Sequence, residues 1–189
     1  MLNDIKNRFM TDEIEIKRDD LYKVVVEKER VFELIELLDK KYKFNILHAI
    51  TCADWIEDDN FAITYMLAKD DRTITFMVQT LINRENASLD SISYKYKQAQ
   101  IMERDLHEMY GIGFEGNDNL VELSLENWIH TPPLRREFDS LEFVNQYLTF
   151  REGRDDNVDT KVEMKRLRAI KKAAKEAAKK EEEEQEDGK

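Results

Sequence analysis

Apolar positions along this chain switch between two periods, and the switches mark its elements. Leu2, Ile5 and Phe9 fall on one side of a short leading helix, Leu2 to Phe9. Alternation and β-branched residues then predict strands at Ile14–Lys17 and Leu21–Val26. From Glu27 to Lys41 the period becomes helical, with Val31, Phe32, Leu34, Ile35, Leu38 and Tyr42 on one stripe. Acids early in that run, and Lys40, Lys41 and Lys43 late, suit the helix dipole. Phe44 to Ala53 reads as a strand interrupted by Asn45 and His48, and Asp54 to Asn60 as a polar turn. Phe61–Leu67 and Thr73–Leu81 alternate and are joined by Ala68-Lys69-Asp70-Asp71-Arg72, a hairpin pattern. Asn83 to Asp90 is a polar connection with a capping serine. This order predicts an α+β fold, a mixed sheet covered by helices on one face.

A third amphipathic helix starts between Ser91 and Lys97. Met102, Leu106, Met109 and Tyr110 form its apolar stripe. Its polar side places Glu103 four residues before His107 and Arg104 four before Glu108, spacing at which each pair contributes about 0.2–0.5 kcal/mol. Gly111 stands where a left-handed C′ residue belongs, with Ile112 placed for the hydrophobic contact that follows. Beyond it, Asn117 to Trp128 is irregular. Thr131-Pro132-Pro133 is expected to be extended, because a residue before proline avoids the α region. That arm either holds Leu134 to Phe138 out for docking or closes the domain. Leu141 to Phe150 is aromatic-rich. From Lys161 the chain turns Ala/Lys-rich, so residues 1–150 read as one domain and 151–189 as a charged tail, helical or disordered.

Charged residues make up 38% of the chain and the net charge is −11, with a pI near 4.9. An acidic body repels phosphate backbones and anionic lipid, which argues against nucleic acid as a partner and against direct membrane contact. The single cysteine, Cys52, rules out an internal disulfide and any cluster or zinc site built on several thiolates of this chain. Its apolar flanks suggest a buried, unreactive thiol. No signal-peptide pattern or long apolar run is visible, which predicts a chain that neither enters a secretory route nor spans a membrane. Abundant Lys and Glu with few Gly and Pro suit a thermophile.

Catalytic patterns are absent. His48, His107 and His130 lack ligand spacing, and there is no glycine-rich phosphate loop, nucleophile elbow or His-Glu-x-x-His. Glu103 and Asp105, two apart, point to different helix faces and make a poor acid/base pair. No metal, cofactor or catalytic residue is therefore assigned to the chain. Interface chemistry fits better: Arg104, Arg135 and Arg136 interleave with Glu103, Asp105 and Glu137, and guanidinium forks pair well with carboxylates at contacts. These groups form an internal network fixing the arm to the helix, dock a partner, or do both, since the same network can position an arm that docks. A free-standing acidic binding module remains the bland alternative, and a self-contained enzyme the weakest.

Glu103-Arg104-Asp105, then Glu108-Met109-Tyr110-Gly111-Ile112, Phe114-Glu115-Gly116 and Pro133-Leu134-Arg135-Arg136-Glu137-Phe138 resemble the signature of the thirty-kilodalton subunit of respiratory complex I, the C subunit of NADH dehydrogenase. That family includes the corresponding subunit of energy-converting, membrane-bound hydrogenases and related archaeal complexes. The chain departs from it at Asn117-Asp118, where the family carries His-Pro, and at Leu120-Val121-Glu122-Leu123, where it carries a Leu-Arg-Arg run. The resemblance implies a cofactor-free scaffold subunit in the cytoplasmic peripheral arm of a membrane-bound, ion-translocating oxidoreductase. It implies iron–sulfur clusters, and nickel–iron in hydrogenases, in partner subunits: a large hydrogenase-like subunit and a small iron–sulfur subunit, with the membrane arm met indirectly. The departures favour a ferredoxin-fed hydrogenase or sulfur-reducing branch over a respiratory NADH or other quinone-linked dehydrogenase. The implied interface residues are Glu103, Arg104, Asp105, His107, Tyr110, Arg135, Arg136 and Glu137.

Overall fold

The computed structural model describes residues 1–9 and 14–148. The tail expected to be helical or disordered, 151–189, lies outside them. The elements run α1 (Leu2–Phe9), β1 (Ile14–Arg18), β2 (Leu21–Val25), α2 (Val31–Tyr42), β3 (Ile46–Trp55), β4 (Asn60–Ala68), β5 (Thr75–Asn83), β6 (Ser88–Asp90), α3 (Ala99–Tyr110), β7 (Gly113–Glu115) and α4 (Ser140–Tyr147). Short 3-10 turns at Lys28–Arg30 and Ile56–Asp58 lead into α2 and β4.

Five strands form a mixed sheet in the order β1-β2-β5-β4-β3, antiparallel except where β2 runs beside β5. The chain makes the β1–β2 hairpin, crosses through α2 to the far edge, and returns as a β3–β4–β5 meander. Local chemistry sets the crossing. Lys43 takes a left-handed conformation (φ 63°) at the end of α2, and the amides of Lys43 and Phe44 bond the carbonyls of Asp39 and Leu38. That stop drives Phe44 into the core, edge-on to Phe76 at 5.8 Å.

Side chains alternate between the two faces of the sheet, so register assigns each residue. Val24, Val78, Tyr65 and Ile50 form one cross-strand row, and Phe76 with Leu67 and Leu47 another. All of these belong to the buried core, which they share with Ile5 of α1, Leu34, Ile35 and Leu38 of α2, and Leu106 of α3. Burial of such a side chain contributes roughly 1.5–3 kcal/mol. The helices of Met1–Ser140 therefore pack on this face, as the α+β reading expects. The opposite face contributes no residue to that core cluster.

Both sheet edges are guarded. β1 is five residues long and carries Glu15, Lys17 and Arg18. β3 is ten residues long, and its register shifts between Leu47 and Ala49, leaving His48 exposed in the bulge. Its carbonyls at Leu47 and Cys52 accept hydrogen bonds from the Gln98 amide (2.9 Å) and the Tyr110 hydroxyl (3.3 Å).

Two features differ from the sequence expectation. The connection Asn83 to Asp90 is not wholly irregular, since β6 pairs in parallel with β7 to form a second, two-stranded sheet. Each of these three-residue strands buries one apolar side chain, Leu89 or Phe114, too few to show a period. The proline arm is not extended throughout either. The Arg135 amide bonds the Pro132 carbonyl at 3.1 Å, a turn with Pro133 at its second position, where the proline ring presets φ. A separate unit begins at Leu141, and α4 places Phe143 and Tyr147 5.1 Å apart, one turn along the helix.

Candidate interface site on the third helix

α3 is built as the pattern predicts, and Gly111 stops it with φ 76°, its amide bonding the His107 carbonyl at 2.8 Å. A Cβ at Gly111 would meet Pro132 Cγ at 3.3 Å and Arg135 Nη2 at 3.4 Å. The stop is thus also the place where the proline arm comes down on the helix.

The charged side chains of α3 reach for backbone and loop groups of this chain, and the expected pairs along the helix do not form. Glu103 does not face His107 and is not at the surface: its exposure is 0%. Its carboxylate accepts from the Ser91 hydroxyl (2.6 Å), the Ile92 amide (2.8 Å) and the Asn117 side-chain amide (2.8 Å). Burial raises its pKa, with the three hydrogen bonds opposing that shift. The expectation of Glu103 as a partner-contact residue is corrected accordingly. Desolvating a carboxylate is tolerated only where donors surround it, and here they come from the segments that follow β6 and β7, at one end of that parallel pair. Asn117, one of the departures from the family pattern, supplies one of them.

Arg104 bonds loop carbonyls instead of Glu108. Its Nε donates to Val121 O at 2.5 Å and its Nη2 to Glu122 O. Glu108 accepts the amides of Leu123 (2.9 Å), Ser124 (3.0 and 3.1 Å) and Leu125 (2.8 Å). Partial burial pushes the Glu108 carboxyl up, but these amides outweigh it and hold its pKa below the ordinary value. His107 Nδ1 lies 2.8 Å from the Ile112 carbonyl and so carries the proton that it donates. Tyr110 sets its ring edge-on to Phe61 at 5.7 Å. Asp105 is exposed.

The arm folds back on α3, the domain-closing alternative of the two that the sequence left open. The Leu134 amide bonds Met109 O at 3.0 Å, and Arg135 Nε donates to Tyr110 O at 2.7 Å, capping the carboxyl end of the helix with a cation. The Arg135 and Arg84 guanidinium groups lie 5.2 and 5.5 Å from the centre of the Phe61 ring. Arg84 pairs with Asp54, Nε to Oδ1 at 2.7 Å, and with Glu137. The side chains of this Arg84–Asp54 pair are 12% and 3% exposed. The Arg136 amide bonds Asp54 Oδ2 at 2.9 Å, while its guanidinium holds both oxygens of Glu57. Sequence reasoning passed over Arg84, Asp54 and Glu57, because they sit in polar turns whose partners lie far along the chain.

Cys52 lies beneath this network. Burial, then the Asp54 carboxylate, pushes its thiol up to about 12. Among the described residues no helix is long and apolar enough to cross a membrane.

Comparison with known proteins gives this geometry a context. Residues 24–144 match the family model described as respiratory-chain NADH dehydrogenase, 30 Kd subunit. The chain is 27% identical over 117 residues to the C subunit of NADH-quinone oxidoreductase from Citrifermentans bemidjiense, covering 61% of this chain and 72% of that one. It is 26% identical over 115 residues to the C subunit of F(420)H(2) dehydrogenase from Methanosarcina mazei, covering 60% and 73%. A Hydrogenobaculum relative, named as the C/D subunit of NADH-quinone oxidoreductase, is 29% identical over 72% of this chain, which spans only 24% of that polypeptide. Among solved structures, a chain of the archaeal membrane-bound sulfane sulfur reductase superposes with a TM-score of 0.68 at 22% identity, covering 80% of this chain and 91% of that one. A trypsin-resistant fragment of Nqo5 does so with a TM-score of 0.54 at 26% identity, covering 63% and 96%. The family match spans strands β3 to β5 and the clamped helix, and the chain belongs to the 30-kilodalton subunit family of respiratory-chain NADH dehydrogenase.

Proposed function

We propose that this chain is a cofactor-free scaffold subunit of a membrane-bound oxidoreductase. It would lie on the cytoplasmic side and hold a large hydrogenase-like subunit and a cluster-bearing subunit in register. The observation that carries this reading is the use made of the signature residues. Glu103, Arg104, Glu108 and Arg135 all hold backbone or loop groups of the chain itself. Such an arrangement gives a rigid body of defined surface, which is what a spacer between redox subunits needs, since clusters and active-site walls tolerate little displacement. Relatives whose C and D parts share one polypeptide support a large D-type subunit as the neighbour. Within this reading the complex is a ferredoxin-fed hydrogenase or sulfur-reducing type. The departures at Asn117-Asp118 and Val121-Glu122 support it, and the fold likeness to a chain of the sulfane sulfur reductase accords with it.

Isolation of the tagged chain from its native membranes in mild detergent tests the proposal. The large and small subunits should co-purify, and with reduced ferredoxin the complex should evolve hydrogen from protons or, when polysulfide is supplied, release sulfide from it. Recovery of the chain alone, with no redox subunit attached, overturns the scaffold role. A second reading, the same subunit in an NADH-linked quinone reductase or in an F420H2 dehydrogenase, is favoured by the names of the sequence relatives. Reduction of quinone by NADH, or oxidation of F420H2, without hydrogen or sulfide, would select it.

A further inference from the structure

The five-stranded sheet has guarded edges, whereas the two-stranded sheet leaves one edge open. In a parallel pair, alternate residues of each strand bond the partner strand, and the others point their N–H and C=O groups away from it. The Gly113 amide bonds Ala87 O at 2.8 Å and the Ser91 amide bonds Glu115 O at 2.7 Å, so Leu89 is the residue of β6 that serves the ladder. The backbone groups of Ser88 and Asp90 face outward, and nothing among the described residues bonds them. Acceptors on the outer side of β7 are already used: Phe114 O takes the Asn117 amide at 3.2 Å, and Ile112 O takes the His107 ring. Along the open edge runs a groove of about 240 Å³ lined by Lys28, Glu29, Ser88, Leu89, Asp90 and Glu115. Leu89, 5% exposed, gives it an apolar floor. Its charge is acidic, three carboxylates against one ammonium. Register sets Asp90 directly opposite Glu115, where like charges repel. Glu115 accepts the Ser88 hydroxyl at 3.3 Å, and no lysine or arginine among the described residues pairs with either carboxylate.

We propose that the open edge of β6 accepts a short extended segment of another protein as a third strand, with lysine or arginine at alternate positions. A strand laid beside β6 at about 4.8 Å closes the free backbone groups of Ser88 and Asp90. Residues opposite Ser88 and Asp90 share the outward face of these two, so cations there meet Asp90 and Glu115 and relieve their repulsion. The residue opposite Leu89 turns toward the apolar floor, where a valine-sized side chain fits. Main-chain pairing supplies the attraction and the alternate side chains the selectivity. Charge also rejects the other occupants. A second copy would bring its own Glu29, Asp90 and Glu115 against these, and an acidic segment would be repelled in the same way. The proposal does not depend on the scaffold role, and the amides it uses are not those that hold Glu103 or Glu108.

The test is amide hydrogen exchange, read by NMR on the full chain, with the peptide acetyl-Lys-Val-Lys-Val-Lys-amide as probe. At saturation the Ser88 and Asp90 amides should exchange about tenfold more slowly or better, while that of Leu89, already in the ladder, should not change. The same peptide with glutamate in place of lysine should give no protection. The lysine peptide N-methylated at every residue keeps its charge but cannot pair, and should bind at least about tenfold more weakly. Asp90→Lys, at an exposed position, should weaken binding of the parent peptide by a similar factor. It should melt no lower than the parent chain, since it removes the like-charge pair. Equal binding of the methylated peptide overturns the proposal, because charge alone then holds the probe. Unprotected Ser88 and Asp90 amides, or undiminished binding to Asp90→Lys, overturn it as well. Amides already slow before peptide is added also overturn it: the edge is then closed by the chain itself or, where the protection grows with protein concentration, by a second copy.

Discussion

The buried carboxylate of Glu103 and the side-chain amide of Asn117 meet at 2.8 Å, joining α3 to the loop that follows β7. Asn117 also donates to the Gln100 carbonyl, so one amide ties the loop to the helix at two points. Replacing Glu103 by Gln keeps the shape but sets an NH2 group against donors. A loss of about 1–3 kcal/mol is expected from urea unfolding at neutral pH.

Glu103 also predicts a pH dependence. Its folded pKa is raised by burial, so the folded state binds a proton more tightly than the unfolded state. Its contribution is then full below the unfolded value of about 4.3 and is lost as pH rises through the folded value. Parent minus Glu103→Gln stability, measured by urea titration across that window, should fall with rising pH. A difference that rises would mean that the three hydrogen bonds outweigh desolvation.

Glu108 behaves in the opposite sense. Its folded pKa is lowered by the loop amides, so its contribution is present above the unfolded value and is lost as pH falls through the folded one. Glu108→Gln should cost about 1 kcal/mol, a modest figure because the site is partly solvated. Amide hydrogen exchange at Leu123, Ser124 and Leu125 should speed up, while exchange in the sheet stays as it was.

Arg135 and Arg136 stand side by side in sequence and do different work. Arg135 packs over Phe61 and caps α3, so Arg135→Ala should lower stability by about 2 kcal/mol. The Arg136–Glu57 pair is 53% and 67% exposed, and Arg136→Ala should cost under about 1 kcal/mol. Separate thermal melts of the two variants check this; equal losses would show that the arm depends on both.

Gly111→Val combines a β-branched residue at φ 76° with a close approach to Pro132 and Arg135. It should destabilise by about 1–3 kcal/mol, and Gly111→Asn by less, since Asn tolerates the left-handed region. Chemical denaturation of the two variants beside the parent measures both losses. Cys52 should alkylate at pH 8 two to three orders of magnitude more slowly than a free thiol, and at the free rate in denaturant.

What the sequence determined by itself was local. Periods of 3.6 and 2 located α1, α2, α3 and the strands of the main sheet to within a few residues, because burial on one face imposes them on every turn or pair of residues. The helix stop at Gly111 was legible for the same reason, as a left-handed residue depends on little beyond itself. The tertiary structure alone decided which charges are inside. Glu103 and Asp105 look alike in sequence, yet one is sealed among Ser91, Ile92 and Asn117 and the other is exposed. The parallel meeting of β2 and β5, and the Arg84 contacts with Asp54 and Glu137 across 30 and 53 residues, likewise leave no local trace. Periodicity reports that a residue faces the core or the solvent. The choice of partner comes from the path that brings distant segments together, and that path emerges only when the whole core packs at once.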